Sequence, residues 1–364
     1  NVIFESEDDM LSKNNVYIEI NDDISHCNIL LGVKEVSIDK ILPEKTYLFF
    51  SHTTKKQEHN RELLKTALEK KITLIDYEYL TTDDRTRIVA FGRWAGIVGA
   101  YNGLRAYGKR WHKFELQSAW KCENKYELFD NLQSLDTDRV RVVITGGGRV
   151  ALGAMETLSR AGITKVDPEE FMKNNFPYSV YCQLEPWHYV KRIDGQEFQL
   201  HHFFNFPEAY ETIFLPYTKR SDLYIACHFW DPRSPLFMLA EDMKQKDFRI
   251  KVIADVSCDI QGPIPSTIRA STIEDPFYGY DPNTGKETDP FHPDAITVMA
   301  VDNLPGELPR DASEDFGDKL ISEVFPYLLS DDKEEQMIMR ATIVKNGMLT
   351  ENFQYLEDFV LGVE

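Results

Sequence analysis

No CxxC pair, no HExxH and no other zinc-binding spacing occurs among the five cysteines and nine histidines of this 364-residue chain. The cysteines, at 27, 122, 182, 227 and 258, are odd in number and scattered. That pattern excludes a disulfide framework and reads as reduced thiols in a cytoplasmic protein. His201 and His202 are adjacent and read as a polar loop or sheet edge; on a strand they would point to opposite faces, so no metal site is expected. No apolar run approaches the roughly 18 residues needed to span a membrane. The opening NVIFESEDDM lacks the basic stretch and apolar core of a signal peptide. Basic residues are in deficit: 41 Lys and Arg against 60 Asp and Glu leave a net charge of -19. Nucleic acid and anionic membranes are therefore not expected partners. An anionic substrate would need a local basic site against the global field. Internal repeats and low-complexity tracts are also missing.

What is there is ordinary globular material, 42% hydrophobic and long enough for two domains. The first stretch of interest is TYLFFSHTTKKQ. Tyr47 to Phe50 reads as a short buried strand, and it ends abruptly in Ser51, His52, Thr53, Thr54, Lys55 and Lys56. In open α/β sheets, ligands sit at the C-terminal ends of strands. A strand at Ile29 to Val33 precedes it; an amphipathic helix, NRELLKTALEKK, and a strand, ITLIDYEYL, follow. Alternating β and α elements predict a parallel sheet. RIVAFGRWAGIVGAYNGLRAYGKRW begins as a strand and becomes a long helix. Its Ala95, Gly96, Gly99, Ala100 and Gly103 admit close approach by a ligand, or serve tight helix packing alone. WKCENKYELFDNLQSLDTDR reads as a passage between domains. A second α/β unit begins at Val140, with later strands in SDLYIACHFW, IKVIADVSCD and AITVMAVDNL. From Asp311 the pattern is helical to the end.

VRVVITGGGRVALGAMETLSRAG carries the sharpest local motif. A strand, Arg141 to Thr145, meets Gly146-Gly147-Gly148 and then a helix opened by Arg149 and Val150. Gly146-x-Gly148-x-x-Ala151 fits the dinucleotide turn: Gly146 for the turn, Gly148 for approach of the pyrophosphate, Ala151 for helix–strand packing. The helix N-terminus offers free N–H groups and a positive dipole end. Asp167 lies 21 residues after Gly146, about where an acid binding the ribose 2′-hydroxyl belongs. An acid there favours NAD over NADP, although Lys165 or Lys173 could serve a 2′-phosphate.

Several long stretches resemble one family. KTYLFFSHTTKKQEHNRELLKTALEKKITLIDYEYL with RIVAFGRWAGIVGA, then VIADVSCDIQGPIPSTIRASTIEDPFYGYD and VDNLPGELPRDASEDFGDKL, are similar to the lysine–ketoglutarate reductase domain of the bifunctional aminoadipate semialdehyde synthases. The lysine-forming saccharopine dehydrogenases and alanine dehydrogenase belong to the wider superfamily. The resemblance implies two Rossmann-like domains with parallel sheets and an interdomain cleft, the first completed by C-terminal helices. The expected division is 1–122 plus 304–364 for the substrate domain and 123–303 for the dinucleotide domain.

The same resemblance implies an NAD(P)-dependent oxidoreductase acting on a C–N bond: reductive condensation of lysine with 2-oxoglutarate to saccharopine. The alternatives are an alanine-dehydrogenase-like enzyme or an inactive dinucleotide-binding regulator. Expected partners are small amino and 2-oxo acids; a homo-oligomer is left open. The family's H-x-x-K puts His52 and Lys55 at the cleft, with the lysine as acid/base. Reductive amination moves protons repeatedly, and a lysine among cationic neighbours, here His52 and Lys56, suits that task. A further family histidine, before the next strand, is replaced here; Lys71 is nearest. Asp259 matches a catalytic aspartate of alanine dehydrogenase, or else caps the turn at Gln261-Gly262. Asn303, in a loop stiffened by Pro305 and Pro309, matches the segment beside the nicotinamide. The family's leading strand–helix unit, with basic residues for the substrate carboxylates, is not in this sequence. Either residues precede it, or part of the substrate site is lost; Arg93, Arg105 and Lys109 are the candidates to substitute, or else solvated helix charges.

Overall fold

The computed structural model describes residues 23–133, 135–330 and 336–363; the opening decapeptide read above as unlike a signal peptide lies outside them. The chain divides into two compact units, Asn1–Ala90 with Lys319–Glu364, and Phe91–Asp318.

The first unit starts with three parallel strands: β1 (Ile29–Lys34), β2 (Thr46–Phe50) and β3 (Thr73–Asp76). The helix Arg61–Glu69 connects β2 to β3 and buries Leu63, Leu64 and Ala67, the apolar stripe of its sequence.

The second unit contains β4 (Arg141–Thr145), β5 (Thr164–Lys165), β6 (Val180–Leu184), β7 (Val190–Arg192), β8 (Tyr210–Thr212), β9 (Leu223–Ala226), β10 (Val252–Asp255), β11 (Phe277–Asp281), β12 (Lys286–Thr288) and β13 (Ile296–Met299). Its main sheet has the order β12-β11-β13-β10-β9-β4-β6-β5, with β7 and β8 forming a separate hairpin. All its neighbours pair in parallel except β11 with β12 and with β13. β4, β9, β10 and β13 are buried along their whole lengths, as strands covered on both faces must be. The strand order departs from simple winding. After β4 and its helix the chain goes to the sheet edge as β5, then returns as β6 beside β4.

The helix Gly92–Trp111 settles the purpose of the small-residue stripe. A Cβ at Gly96 would collide with the Val150 carbonyl, and one at Gly153 with the Arg93 carbonyl. Gly99 and Gly103 face Val256 and Ala254. The stripe lets this helix lie directly on the helix Arg149–Arg160 and on the sheet. This packing places the helix in the second unit, so the compact units divide at 90/91 and 318/319, where the sequence reading divides at 122/123 and 303/304.

The C-terminal part is not helical throughout. The helix Pro309–Lys319 belongs with the second unit up to Asp318, and Asp315 accepts a 2.9 Å bond from the Trp94 indole. The chain then contributes β14 (Thr342–Lys345) and β15 (Met348–Leu349) to the first sheet, order β1-β2-β3-β14-β15. β14 runs antiparallel to β3, and the hairpin turns at Asn346-Gly347, both with positive φ. Asn-Gly after the β-branched run Thr342-Ile343-Val344, with Met348-Leu349 beyond it, is a hairpin signal that the helical reading overlooked. Ile343, Val344, Phe353, Leu356 and Phe359 join Tyr47, Phe49 and Leu64 in this unit's core.

Candidate functional site

In the second unit, β4 ends at Thr145 and the glycine turn follows. Gly146 has φ +103, and any Cβ there would sit 2.5 Å from the Cys227 carbonyl oxygen. Only glycine meets both demands. Gly148 precedes the helix Arg149–Arg160, and a Cβ there would meet no heavy atom within 4 Å. Protein is thus kept off this side of the turn. Ala151 is fully buried, while Arg149 and Val150 are half-buried at the first turn.

Asp167 is exposed and makes no side-chain cap to the helix Pro168–Lys173 that it precedes. It follows β5, the edge strand, so β6 stands between it and β4. The strand beside β4 is β6, and its next residue is Glu185. The Glu185 carboxylate lies against Gly147, where an added Cβ would strike it. Gln183 donates to both the Gly146 carbonyl (2.9 Å) and Glu185 Oε1 (3.0 Å), fastening the acid to the turn. The acid at the glycine turn is therefore Glu185. Its distance of 39 residues from Gly146, against the 21 of Asp167, hid it from the spacing rule.

Parallel pairing also brings the other strand ends to this edge. At the end of β10, Asp255 is wholly buried and accepts bonds from the Ser257 and Cys258 amides and from the Ser257 and Thr267 hydroxyls. Asp259 follows, half-buried, its carboxyl pushed up to about 6 by burial and then by the Asp255 charge. Its backbone carbonyl accepts from the Gly262 amide at 2.9 Å, so it also shapes the expected turn. Asn303, exposed, precedes the short 3-10 turn Leu304–Glu307 after β13.

The first unit has its own cluster at strand ends. His52 (φ 54) and Lys56 (φ 52) take left-handed conformations on either side of the 3-10 turn Thr53–Lys55. The His52 ring is half-buried, stacks on Phe50 and is held neutral to lower pH by burial, then by Lys55 and Lys34. Lys55 is exposed; Lys56 is half-buried, its ammonium 5.6 Å from the Tyr355 ring centre. Lys71, exposed, lies at the opposite, N-terminal end of β3, so it does not join this turn.

A cavity of about 310 Å³ opens after β3, lined by Glu78, Tyr79, Thr81, Arg85, Arg87 and Arg340. Glu78 pairs with Arg87. Arg340 is held by the Thr81 carbonyl (2.8 Å) and Asp83 (3.3 Å). The Arg85 guanidinium has no ion pair among the described residues. Tyr79 also shares a hydrogen bond with Thr54, beside Lys55. Sequence reasoning missed these arginines and offered two others and a lysine, all in the second unit. Arg93 is held by Glu156 through bonds of 3.0 and 2.9 Å. Arg105 donates to the Leu116 carbonyl, and Lys109 lines a separate cavity at the C-terminal end of its helix.

An open parallel sheet with a glycine turn at the end of a central strand, and an acid on the neighbouring strand end, defines the dinucleotide-binding class of α/β proteins. Residues 6–98 match the family described as alanine dehydrogenase/PNT, N-terminal domain. The chain is 30% identical over 382 residues to alpha-aminoadipic semialdehyde synthase of Arabidopsis thaliana, covering 93% of this chain and 36% of that one. It is 26% identical to the NAD(+), L-lysine-forming saccharopine dehydrogenase of Candida glabrata, covering 80% and 72%. Among solved structures, L-alanine dehydrogenase shares the fold at a TM-score of 0.58 and 13% identity, over 95% of this chain and 85% of that one. Over most of its length the chain is thus similar to the aminoadipic semialdehyde synthases and the lysine-forming saccharopine dehydrogenases. It spans less than half the length of the semialdehyde synthases it matches. Among the described residues, no helix is long and apolar enough to cross a membrane, and no group of three or more His, Cys, Asp or Glu could hold a metal ion.

Proposed function

We propose that this chain catalyses the NAD(P)-dependent reductive condensation of lysine with 2-oxoglutarate to saccharopine. The observation that carries the reading is the pairing, within the first unit, of the His52–Lys55 turn with a cavity lined by three arginines. Arginine forks match carboxylates, and both substrates carry them. Condensation of an amine with an oxo acid expels water, and each stage moves a proton at the reacting oxygen or nitrogen. Lys55 is the group proposed to carry that proton, with His52 beside it. Asp259, whose carboxyl is pushed up to about 6 by burial, is the candidate second acid/base. The residues of the second unit fit a dinucleotide: open space at Gly148, a helix N-terminus behind it, and Glu185 for the ribose diol. The dinucleotide, when bound, supplies the hydride. Arg149, Val150 and Asn303 are further proposed contacts. Glu185 would repel a 2′-phosphate, which supports NAD over NADP. Of the proposed groups, His52, Lys55 and the three cavity arginines belong to the first unit, and Asp259 with the dinucleotide contacts belongs to the second. The five unpaired cysteines support a reducing compartment such as the cytoplasm.

Cofactor oxidation decides the matter. Turnover with lysine plus 2-oxoglutarate is expected. Turnover only with ammonia plus pyruvate would make it an amino acid dehydrogenase, and none with either would leave a dinucleotide-binding regulator.

A further inference from the structure

We infer that Asp76 is a positioning residue that holds the Lys55 turn and the arginine-lined cavity in fixed relation; this builds on the proposed role of Lys55. Asp76 ends β3 and is wholly buried. Its two oxygens serve two different segments. Oδ2 accepts from the Ser51 amide at 3.0 Å and the Ser51 hydroxyl at 2.5 Å. Oδ1 accepts from the Glu78 amide at 2.8 Å. Ser51 is the last residue before the left-handed His52; Glu78 opens the wall of the cavity.

The direction of the bonds follows from proton count. Ser51 has one hydroxyl proton and gives it to the carboxylate. The Ser51–Thr53 hydroxyl contact, at 2.9 Å, must then run from Thr53 to Ser51, and the Thr53 amide also donates to Ser51 Oγ at 3.3 Å. Thr53, Ser51 and Asp76 thus form an oriented chain that ends on the acid.

A merely structural aspartate would not need this arrangement. The bond to Glu78 is a local turn of the kind aspartates often make. The bonds to Ser51 reach 25 residues back, although β2 and β3 are already paired at Phe49 and Asp76. What the strand pairing does not fix is the turn beyond Phe50, with non-glycine residues in left-handed conformations at His52 and Lys56. Such conformations cost energy and persist only where the surroundings over-determine them. Asp76 supplies that restraint from one side, and Asn60, donating to the His52 carbonyl at 3.2 Å, from the other.

The test uses the full chain with Asp76→Asn and Ser51→Ala. An asparagine keeps one acceptor oxygen, so Asp76→Asn can hold Ser51 or Glu78 but not both, and the link between the two walls is broken. It is expected to lower kcat about 10- to 100-fold and raise KM for the oxo acid several-fold, the scale on which small misplacements act. Dinucleotide affinity should stay at the wild-type value, because that site lies in the second unit, and a wild-type-like cooperative thermal melt serves as the check on folding. Ser51→Ala frees only the Lys55 wall, so kcat should fall by less and KM should hold. The double variant should be no worse than Asp76→Asn. A folded Asp76→Asn protein with wild-type kcat and KM overturns the inference. If Asp76→Asn does not fold, Ser51→Ala decides: an unchanged kcat overturns it. If the wild type turns over no substrate, the functional reading fails separately, and amide hydrogen exchange then decides on Asp76. Faster exchange in 51–56 or in 77–79 for Asp76→Asn, and only in 51–56 for Ser51→Ala, sustains it. Unchanged exchange in both segments overturns it.

Discussion

Lys55 and Lys56 are adjacent, yet the structure gives them different surroundings. Lys55 is exposed at the end of its 3-10 turn, whereas Lys56 rests over Tyr355. Lys55→Met is expected to lower kcat by roughly 10²–10⁴, the usual contribution of a positioned acid/base. Lys56→Met should cost about 0.5–1 kcal/mol of stability from the lost cation–ring contact, with little effect on kcat. Steady-state kinetics at saturating substrate, with thermal melts, separate the two. Equal small losses in kcat would remove Lys55 from the mechanism. At the cofactor end, Glu185→Gln should shift the ratio of NAD(H) to NADP(H) affinity toward NADP(H), while Asp167→Ala leaves it unchanged. The reverse pattern would restore the acid to Asp167.

At the scale of elements, the glycine turn allows a clean separation of fold from binding. Gly146→Ala must strain the backbone and strike the Cys227 carbonyl, so a loss there says little about cofactor. Gly148→Val meets no protein atom through its Cβ, and is expected to keep the wild-type melting temperature while weakening dinucleotide binding at least tenfold. Unchanged affinity in a fluorescence titration would place the pyrophosphate elsewhere. The turn Leu304–Glu307 carries a different sensitivity. Glu307 is 1% exposed, accepts 2.8 Å from Asn102 Nδ2, and has its carboxyl pushed up to about 7 by burial. Asn102 and Arg105 oppose that shift, and Glu274 adds to it. The folded protein therefore holds a proton that the unfolded chain releases near 4.5. The stabilisation is complete below that value and is lost as pH rises through about 7. Melting temperature should fall between pH 5 and 8, and Glu307→Gln should flatten that slope; an identical slope in the variant counts against Glu307 as the source.

For the whole molecule, the first unit is built from both ends of the chain. β14 covers the edge of β3, and Phe353, Leu356 and Phe359 complete the core. A chain ended at Ser330 is expected to lose oxidoreductase turnover, because an open β3 edge and a depleted core leave the His52–Lys55 turn without support. Dinucleotide binding should persist, since the glycine turn and Glu185 lie in the second unit, whose residues run from 91 to 318. Loss of binding in parallel with turnover would show that the units do not fold separately.

The sequence by itself determined what depends on neighbours along the chain. Buried strands were legible as apolar runs, the glycine turn as a backbone demand between strand and helix, and the His52–Lys55 segment as a polar break after a strand. The Asn346-Gly347 hairpin was equally legible, though a helical tail was read over it. Only the tertiary structure decided what depends on distant pairings. β5 went to the edge and β6 beside β4, which moved the acid at the turn from Asp167 to Glu185. The helix Gly92–Trp111 spent its small residues on a neighbouring helix rather than on a ligand. Arg340 came to Thr81 from 259 residues away and closed the cavity with Arg85 and Arg87. The reason is physical: periodicity and turn chemistry are set by local backbone geometry, whereas the neighbour of each strand is set by how whole elements bury their apolar faces together.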